Sequence, residues 1–539
     1  MKFSDILKQR KVRGAIPQKR TFFCRSTVET ATVFVLIVVV LLIASKEIGL
    51  TWDESIYFQF SDRIRTWFLD GPSFTEEAVK DAWAYSPYHN PHPPFMKIPN
   101  AFTSYWFSEW LEFPANYRLW SIVYVAACLA LIYRLLVSSY SSAMSCIAVC
   151  CICLQPRVFG HLIIAATDGP VAMAWVVLPL LAWRIHETDT RTKRNLLRLL
   201  FFVIYGFASA TKFTGFLVVI PLMAYCLFHK QYKECLWLIG SGIYAVGFII
   251  LISPDMWGHP FAHAAQFLIY PFTRPTIIKI STFYLGTSYP LYLPWHYFGV
   301  MSFVTYPVVL WAVMGGLIYL RRIERTVLSP VLFCLGFWLI LVHLPITPKH
   351  DGVRQFLSVY PLLALCSWAG LLGILARINK EISSPNIRYF KKGLVLCVLG
   401  VLGTGVWQCH PFELSYYNAF IGGIQGAERA GMEMTYWLDS GNRDFIRALD
   451  EYLVDGAKLY IAPHWPLVLQ SYSQHGILHG TFTFLAPTVP AKYADYVILF
   501  RRRAVVDDES EYIPFPALTE VTYDGVSLAK FIRGDSAHE

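Results

Sequence analysis

The sequence is short of charged residues. Asp, Glu, Lys and Arg make up 15% of the 539 residues, whereas hydrophobic residues make up 55% and aromatic residues 16%. An ordinary soluble protein has about 25% charged residues, so the composition of the whole chain is far from that of a soluble protein and predicts a polytopic membrane protein. The net charge of +9 does not indicate a nucleic-acid partner, because the basic residues mark one side of the predicted membrane.

Several chemical motifs are also missing. The chain has no phosphate-cradling glycine loop, no internal repeat and no low-complexity tract, so nothing in it predicts a nucleotide site. Most of the 12 cysteines lie in apolar runs, where a free thiol behaves as a small hydrophobic side chain. The cluster Cys150-Cys151-x-Cys153 lacks partner ligands, so we interpret it as packing within a span rather than a metal site.

Long apolar runs are plentiful. Runs long enough to cross a bilayer, about 17 to 25 residues, occur near 27–45, 119–137, 143–156, 164–184, 197–210, 213–228, 235–253, 299–320, 328–345, 355–376 and 391–408. They predict an all-α polytopic bundle of about eleven transmembrane helices, in which three short runs leave the count open by one or two.

The loops between these runs indicate the topology. A long basic lead precedes the first run, which we interpret as a retained anchor with its N-terminus in the cytoplasm, not as a cleavable signal. If successive spans cross the membrane in alternating directions, the basic loops lie on the inner side. This agrees with the excess of Lys and Arg in cytoplasmic loops. Their basic residues are Arg191, Lys193, Arg194, Lys230, Lys233, Arg321, Arg322, Arg325, Arg377, Lys380, Arg388, Lys391 and Lys392. The C-terminal part is therefore expected outside.

Three regions follow from this pattern. Residues 1–26 are predicted to be a cytoplasmic basic segment, and residues 27–408 a transmembrane domain with outer loops at 46–118 and 254–298. Residues 409–539 read as a small extracytoplasmic α/β domain. Within it we expect a helix over 442–454, buried strands at 458–462 and 496–500, and a hairpin over 521–532 around Asp524-Gly525.

The first outer loop opens with two adjacent carboxylates, Asp53 and Glu54. Thr51-x-x-Glu54 fits a capping box at the start of an amphipathic helix, which we expect to lie at the membrane surface. Asp53 would then lie in the first helical turn, where the helix dipole favours its ionised form, and it could accept a proton from an attacking hydroxyl. The alternative is that both carboxylates only cap the helix.

Further polar groups occur at predicted outer ends of spans. Asp168 precedes Gly-Pro, so it is either a helix cap or a functional carboxylate at membrane depth. Lys212 either extends to the interface or binds an anion. Lys349 and Arg354, grouped with His350, favour phosphate binding through charge-assisted hydrogen bonds. Together these residues suggest a lipid-linked phosphate held by cations beside a carboxylate that activates an acceptor hydroxyl.

The motifs that carry these residues resemble the C-type (GT-C) membrane glycosyltransferases, in the branch of the protein O-mannosyltransferases and the aminoarabinose transferases of lipid A. The matching pieces follow in order along the chain to about Asp439. They are Trp52-Asp53-Glu54, His92-Pro93-Pro94, Arg118-Leu119, Asp168-Gly169-Pro170, Thr211-Lys212, Arg354-Gln355-Phe356 with Tyr360-Pro361, Pro411 to Asn418 including Tyr417, Gly422-Gly423 and Tyr436-Trp437.

The resemblance implies a polyprenyl-phosphate sugar donor, reaction at the outer face and inversion at the sugar carbon. It implies Asp53 as the catalytic base, Asp168 as a second active-site acid and Glu54 as the acidic neighbour. Lys212, Arg354 and Lys349 are expected to bind the donor phosphate. The chain lacks the large luminal insertion of the eukaryotic mannosyltransferases and ends in a soluble segment, so the expected acceptor is a lipid or glycan.

His92, His259 and Tyr417 are expected to contact substrate. The two histidines could approach carboxylates, yet their spacing matches no known ligand pattern, so no metal site is predicted and dependence on a divalent metal stays open. No other cofactor is expected.

The resulting hypothesis is an inverting glycosyltransferase in a bacterial plasma membrane. The alternative is a transporter or flippase of an anionic lipid-linked substrate, which would favour inverted repeats and polar residues at the bilayer midplane. A non-catalytic scaffold is a third reading.

Overall fold

The computed structural model describes residues 18–84, 90, 92–277, 280–320, 327–345, 347–381, 386–506 and 516–534. Most of the predicted cytoplasmic segment 1–26 lies outside these residues, as do the inner-loop arginines Arg321, Arg322 and Arg325.

Helices dominate the first three quarters of the chain. They are α1 (Gln18–Ala44), α2 (Trp52–Leu69), α3 (Glu76–Trp83), α4 (Lys97–Trp106), α5 (Ala115–Val137), α6 (Ser142–Cys153), α7 (Pro156–Ile163), α8 (Asp168–Glu187), α9 (Arg191–Ser209), α10 (Phe213–Phe216), α11 (Val219–Phe228), α12 (Tyr232–Ile252), α13 (Pro260–Ile277), α14 (Tyr297–Thr305), α15 (Val308–Met314), α16 (Leu328–Leu341), α17 (Val359–Glu381) and α18 (Ile387–Cys409). Each predicted apolar run coincides with one or more of these helices.

Within the described residues, six helices are long and apolar enough to cross a membrane, or up to eight if each of two bent pairs is one span. Phe213–Phe228 and Leu328–Leu341 are shorter apolar helices, and α9 is long but begins with several basic residues. The bends, 82° between α6 and α7 and 102° after α14, occur at Pro156 and Pro307, which cannot donate a backbone hydrogen bond. The predicted multi-pass helical membrane fold is confirmed.

The loop predicted to be the first outer loop forms α2, α3 and α4. The capping box that begins α2 is present, with Thr51 and Glu54 each accepting from the other's backbone N–H. The apolar face of α2 packs on protein, since Ile56, Tyr57 and Phe60 contact a cluster that includes Trp437. In the loop predicted to be the second outer loop, a short 3₁₀ turn (Pro254–Met256) and α13 precede an antiparallel hairpin of β1 (Thr282–Tyr284) and β2 (Thr287–Tyr289).

The C-terminal part is a small mixed α/β unit. Its elements are α19 (Gly423–Arg429), α20 (Arg443–Tyr452), β3 (Ala457–Ala462), α21 (Leu467–Gln474), β4 (Phe482–Phe484), β5 (Tyr496–Phe500), β6 (Ala517–Tyr523) and β7 (Val526–Arg533). The sheet order is β4-β3-β5-β7-β6; β3 is parallel to β4 and β5, and β7 is antiparallel to β5 and β6. Asp524 and Gly525 take positive φ values of 48° and 75°, as a tight hairpin turn requires.

This C-terminal unit packs against the start of α2. A Cβ on Gly49 would lie 2.4 Å from the Asp439 carbonyl oxygen, so only glycine allows the two backbones to approach this closely. The Trp52 backbone N–H donates to the Trp437 carbonyl at 3.2 Å. Residues on either side of Asp53 are therefore fixed by contacts with the C-terminal part.

Candidate active site

Four segments distant in sequence bring charged side chains together at one end of the bundle. Asp53 lies in the first turn of α2 and Asp168 begins α8, so both carboxylates lie where helix dipoles stabilise negative charge. Lys212 follows the end of α9, and Arg354 begins a single 3₁₀ turn before α17. Of the predicted site residues, these four form one cluster.

Arg354 lies at the centre of this cluster. Its Nε donates to Asp168 Oδ2 at 3.0 Å, one Nη donates to Asp351 Oδ2 at 2.9 Å, and the other contacts Asp53. Lys212 Nζ donates to Asp168 Oδ1 at 2.5 Å. The guanidinium also lies 4.2 Å from the ring centroid of Trp437, a favourable cation–π contact. Burial lowers the pKa of Arg354, but the three carboxylates outweigh it and hold the pKa above its ordinary value.

Arg502, from the C-terminal part, completes the charge balance. Its guanidinium donates to Asp351 Oδ1 at 3.0 Å and lies 4.2 Å from the ring centroid of Trp52. Burial raises the pKa of Asp351, but Arg502, His350 and Arg354 together bring it below its usual value. Three carboxylates thus face Lys212, Arg354 and Arg502, as a buried cluster of this size requires.

The three carboxylates differ in access. The side chain of Asp53 is 18% exposed, whereas those of Asp168 and Asp351 are 2% and 0% exposed. Asp53 is therefore the most accessible carboxylate of the cluster, whereas Asp168 and Asp351 are enclosed by the cations that donate to them.

Glu54 points away from this cluster. Its oxygens accept from Arg118 Nε and Nη2 at 2.7 Å each, and from the backbone N–H groups of Ala165 and Thr51 at 2.9 and 3.1 Å. Both Glu54 and Arg118 are fully buried. These contacts give Glu54 a structural environment, because its acceptor positions are filled from within the fold.

Tyr417 lies in a second layer behind the cluster. Its hydroxyl donates to the Glu433 carbonyl at 2.8 Å, and Arg157 lies 4.8 Å from its ring centroid and 5.7 Å from that of Tyr436. This layer supports the turn that carries Arg354. Gly352 has φ +62°, and a Cβ there would lie 2.8 Å from the Tyr436 ring, which only glycine avoids.

The remaining predicted residues are Lys349, His259 and His92. Lys349 is partly buried, and burial lowers its pKa. His259 is exposed and its ring lies 6.2 Å from that of His263. The His92 ring centroid lies 6.3 Å from that of Tyr57. Tyr57 follows Asp53 by one turn of α2. Within the described ranges, no three His, Cys, Asp or Glu side chains are grouped so that they could hold a metal ion.

Sequence reasoning did not single out Asp351 or Arg502, and it named Trp437 only within the Tyr436-Trp437 motif, with no contact to Arg354 expected. Asp351 stands beside His350 within the basic group before α17, a position that could have suggested a partner for its cations. Arg502 is the middle residue of Arg501-Arg502-Arg503 after a buried strand, and no pattern distinguishes it from its neighbours.

Comparison with known proteins gives one family match. Residues 92–257 match the model of the dolichyl-phosphate-mannose-protein mannosyltransferase family. This match confirms the predicted resemblance and the predicted class of enzyme, a membrane glycosyltransferase. No curated protein sequence matches the chain.

Solved structures similar to this one include the following three. ArnT from Cupriavidus metallidurans in the apo state has a TM-score of 0.48 at 12% identity, over 93% of this chain and 97% of that chain. The S. cerevisiae protein O-mannosyltransferase Pmt1-Pmt2 complex bound to the sugar donor has a TM-score of 0.30 at 14% identity, over 49% of this chain and 38% of that chain. The Archaeoglobus fulgidus oligosaccharyltransferase, in complex with Zn and sulfate, has a TM-score of 0.40 at 10% identity, over 86% of this chain and 68% of that chain.

Proposed function

We propose that this membrane glycosyltransferase moves one monosaccharide, with inversion, from a polyprenyl-phosphate donor to a hydroxyl of a lipid or glycan acceptor. One observation carries the proposal. Asp53 is the accessible carboxylate of a buried charge cluster that also holds Asp168, Lys212 and Arg354. A reactive carboxylate held beside fixed cations suits a reaction in which a phosphate leaves as a hydroxyl attacks.

In the proposed reaction, the acceptor oxygen attacks the anomeric carbon while the bond from that carbon to the phosphate oxygen breaks. The bonding electrons leave with the phosphate, and the acceptor proton passes to Asp53. Displacement from the side opposite the phosphate inverts the anomeric centre. The products are a glycosylated acceptor and a polyprenyl phosphate.

Lys212 and Arg354 provide positive charge where the leaving phosphate gains negative charge. Lys349, which precedes Arg354 by five residues, is proposed as a further cation for the same phosphate. Asp168 holds both Lys212 and Arg354, so its role is to fix the cations. Arg354 has its three nitrogens directed at three carboxylates. All three nitrogens of Arg354 already have carboxylate partners, so a donor phosphate would have to share the guanidinium with them. We therefore assign Arg354 the orientation of Asp53 as its first role.

We assign the reaction to the outer face of a bacterial plasma membrane. Helix α8 begins at Asp168 in the cluster, and after its other end come Arg191, Lys193 and Arg194 at the start of α9. Lys212 follows the far end of α9, back at the cluster. Cytoplasmic loops carry the excess of Lys and Arg, so this arrangement favours a cytoplasmic basic loop and an extracytoplasmic cluster, with the N-terminus inside and the C-terminal part outside.

The test is turnover in proteoliposomes with radiolabelled polyprenyl-phosphate sugars. Asp53→Asn should lower transfer by about 100- to 10,000-fold, the usual contribution of a general base, without loss of folded protein. Asp70→Asn makes the same change at the exposed end of α2 and should transfer at the wild-type rate. Wild-type turnover by Asp53→Asn would remove the base assignment. A flippase would move the lipid and release no label from it.

A further inference from the structure

Three titratable side chains, Glu47, His410 and Glu413, meet where the helices α1 and α18 end. We call them the His410 triad. His410 directly follows α18, and Glu47 follows the end of α1 by three residues. The Nδ1 atom of His410 lies 2.5 Å from Glu413 Oε1, and its Nε2 atom lies 3.2 Å from Glu47 Oε2. The side chain of Glu413 is 1% exposed and that of Glu47 is 63% exposed. One imidazole thus connects a buried carboxyl group to an exposed one.

The geometry of the His410 triad requires an extra proton. An ionised carboxylate can only accept hydrogen bonds, and a neutral imidazole has a single N–H. A neutral His410 between two ionised carboxylates would therefore leave one ring nitrogen facing an oxygen with no proton between them. An imidazolium donates to both carboxylates. A proton on one carboxyl group instead gives the same total, so the triad carries one net negative charge in either case.

The surroundings of the triad favour this protonated form. Burial lowers the pKa of His410, but Glu413 and Glu47 outweigh it and hold the pKa above its ordinary value. Burial also raises the pKa of Glu413, more than its contact with His410 lowers it. Deprotonation of His410 would leave the buried Glu413 without its cation, beside the buried carboxyl group of Asp439. Further titratable groups near the triad are Cys409, Asp439 and Tyr523, which interact electrostatically with Glu413, Arg157, which interacts with Cys409 and Asp439, and Lys46, which adjoins Glu47 in sequence.

Glu47 belongs to the segment that leads to Asp53. Arg118 donates to the carbonyls of Ile48 and Gly49 at 2.9 Å each, and Gly49 packs against the C-terminal part. Helix α2 begins three residues after Gly49 and carries Asp53 in its first turn. The segment between Glu47 and Asp53 is therefore short and held by several contacts, so that a displacement of Glu47 would be transmitted to α2.

Glu413 belongs to a turn that supports Arg354. It begins a 3₁₀ turn (Glu413–Ser415), and the carbonyl of the following residue, Tyr416, accepts from Arg157 Nε at 2.9 Å. Arg157 in turn lies against the turn that carries Arg354, since a Cβ on Gly352 would lie 3.0 Å from Arg157 Nη1. The two carboxyl groups of the triad thus belong to the supports of two different residues of the charge cluster.

We propose that protonated His410 is a positioning residue for sugar transfer, which connects the segment that leads to Asp53 with the turn that supports Arg354, and that loss of its proton breaks this connection. The inference rests on the proposed function for the roles of Asp53 and Arg354. Because the pKa of His410 is higher in the folded protein than in the unfolded chain, the connection is complete below about pH 6.5 and is lost as the pH rises through the folded pKa. Transfer should therefore have an alkaline limit that His410 sets.

The test compares the pH dependence of the initial transfer rate in proteoliposomes. Wild-type protein should lose activity as His410 deprotonates. His410→Arg keeps a cation with several donors at every working pH, so it should stay active and lose the alkaline limit. His410→Gln has no charge and should be about tenfold slower than wild type at low pH, without an alkaline limit of its own. Glu47→Gln removes the exposed partner and should move the limit down by about half a pH unit.

A matched control is available in the C-terminal part. His479 is exposed and contacts Asp450 at 2.7 Å, so His479→Gln removes a similar pair far from the triad in sequence and should keep the wild-type pH profile. If sugar is transferred but the limit stays unchanged in His410→Arg and Glu47→Gln, the limit belongs to another group, such as Lys97, and the inference is wrong. Should His410→Arg fail to fold, Glu47→Gln at its exposed position carries the comparison.

Hydrogen exchange separates this inference from the proposed function, because it needs no turnover. At about pH 6, where wild-type His410 is protonated, backbone amides in residues 47–52 and 413–418 should exchange faster in His410→Gln than in wild type, and at the wild-type rate in His479→Gln. If no sugar is transferred while these segments respond, the proposed function fails and the connection through His410 stands. If the segments do not respond, His410 does not hold them and the inference is wrong, whether or not sugar is transferred.

Discussion

The neighbouring carboxylates Asp53 and Glu54 should respond to the same isosteric change in opposite ways. Asp53→Asn should remove activity and leave the protein folded. Glu54→Gln should instead damage the fold, because Glu54 is the counter-ion of a fully buried Arg118. This contrast tests whether Asp53 is the reactive carboxylate and its neighbour Glu54 a structural one.

The size of the Glu54 effect follows from its contacts. Removing one partner of a buried ion pair costs about 3–5 kcal/mol, because the other charge stays buried and uncompensated. Arg118 also donates to the carbonyls of Ser45, Ile48 and Gly49 at 2.8, 2.9 and 2.9 Å, which partly compensate the charge. We therefore expect the lower end of the range, about 3 kcal/mol.

The assay is the half-life of folded protein in detergent at a fixed elevated temperature, since a membrane protein of this size is expected to unfold irreversibly. About 3 kcal/mol can shorten the half-life of Glu54→Gln by up to about a hundredfold if the pair breaks before the unfolding barrier. Glu109→Gln, an exposed position of the same outer loop, is the matched control and should retain the wild-type half-life. A Glu54→Gln protein of wild-type half-life that has lost transfer would refute the structural assignment and restore Glu54 as a reactive acid.

Two further predictions concern Arg502 and Lys97. Arg502→Ala should lower the initial rate of sugar transfer by about tenfold or more, because Asp351 would then interact with Arg354 alone; an unchanged rate would show that the C-terminal part is dispensable for the cluster. Burial lowers the pKa of Lys97 to about 7, against about 10.4 in an unfolded chain. The unfolded state binds more protons between these values, so stability should rise with pH from about 7 to about 10. Thermal unfolding in detergent across that range checks the slope, which Lys97→Met should flatten.

The helical architecture was predictable because a bilayer imposes one strong rule. A span must satisfy its own backbone hydrogen bonds and present apolar side chains, so hydropathy alone located the apolar helices of the bundle. It did not locate α2, α3, α4 and α13, which lie in the loops between the apolar runs. The bends at Pro156 and Pro307 were less visible, because proline in a span does not by itself distinguish a kink from a break. The sheet was predictable from buried runs such as Tyr496–Phe500 and from the Asp524-Gly525 turn.

The cluster was predictable only in part. Asp53, Asp168, Lys212 and Arg354 could be proposed because charge at membrane depth is costly and needs a reason. The ion pairs among them could not be predicted, since Asp53 and Arg354 are separated by 301 positions and hydropathy does not indicate which spans are neighbours. Glu54 is instructive in another way. Its capping box was visible in the sequence, and the structure adds the buried Arg118 that occupies the same carboxylate.

The charge balance of the cluster explains why its residues come from both parts of the chain. Asp53, Asp168 and Asp351 carry three negative charges, and desolvating them without three cations would cost several kcal/mol for each ion. Lys212 and Arg354 supply two of these cations from the bundle, and Arg502 supplies the third. A bundle without the C-terminal part would therefore leave Asp351 short of one partner, so that Arg354 would interact more with Asp351 and less with Asp53. On this argument the C-terminal part acts on Asp53 indirectly. Arg502 takes over part of the interaction with Asp351, so the Arg354 guanidinium stays available to orient Asp53.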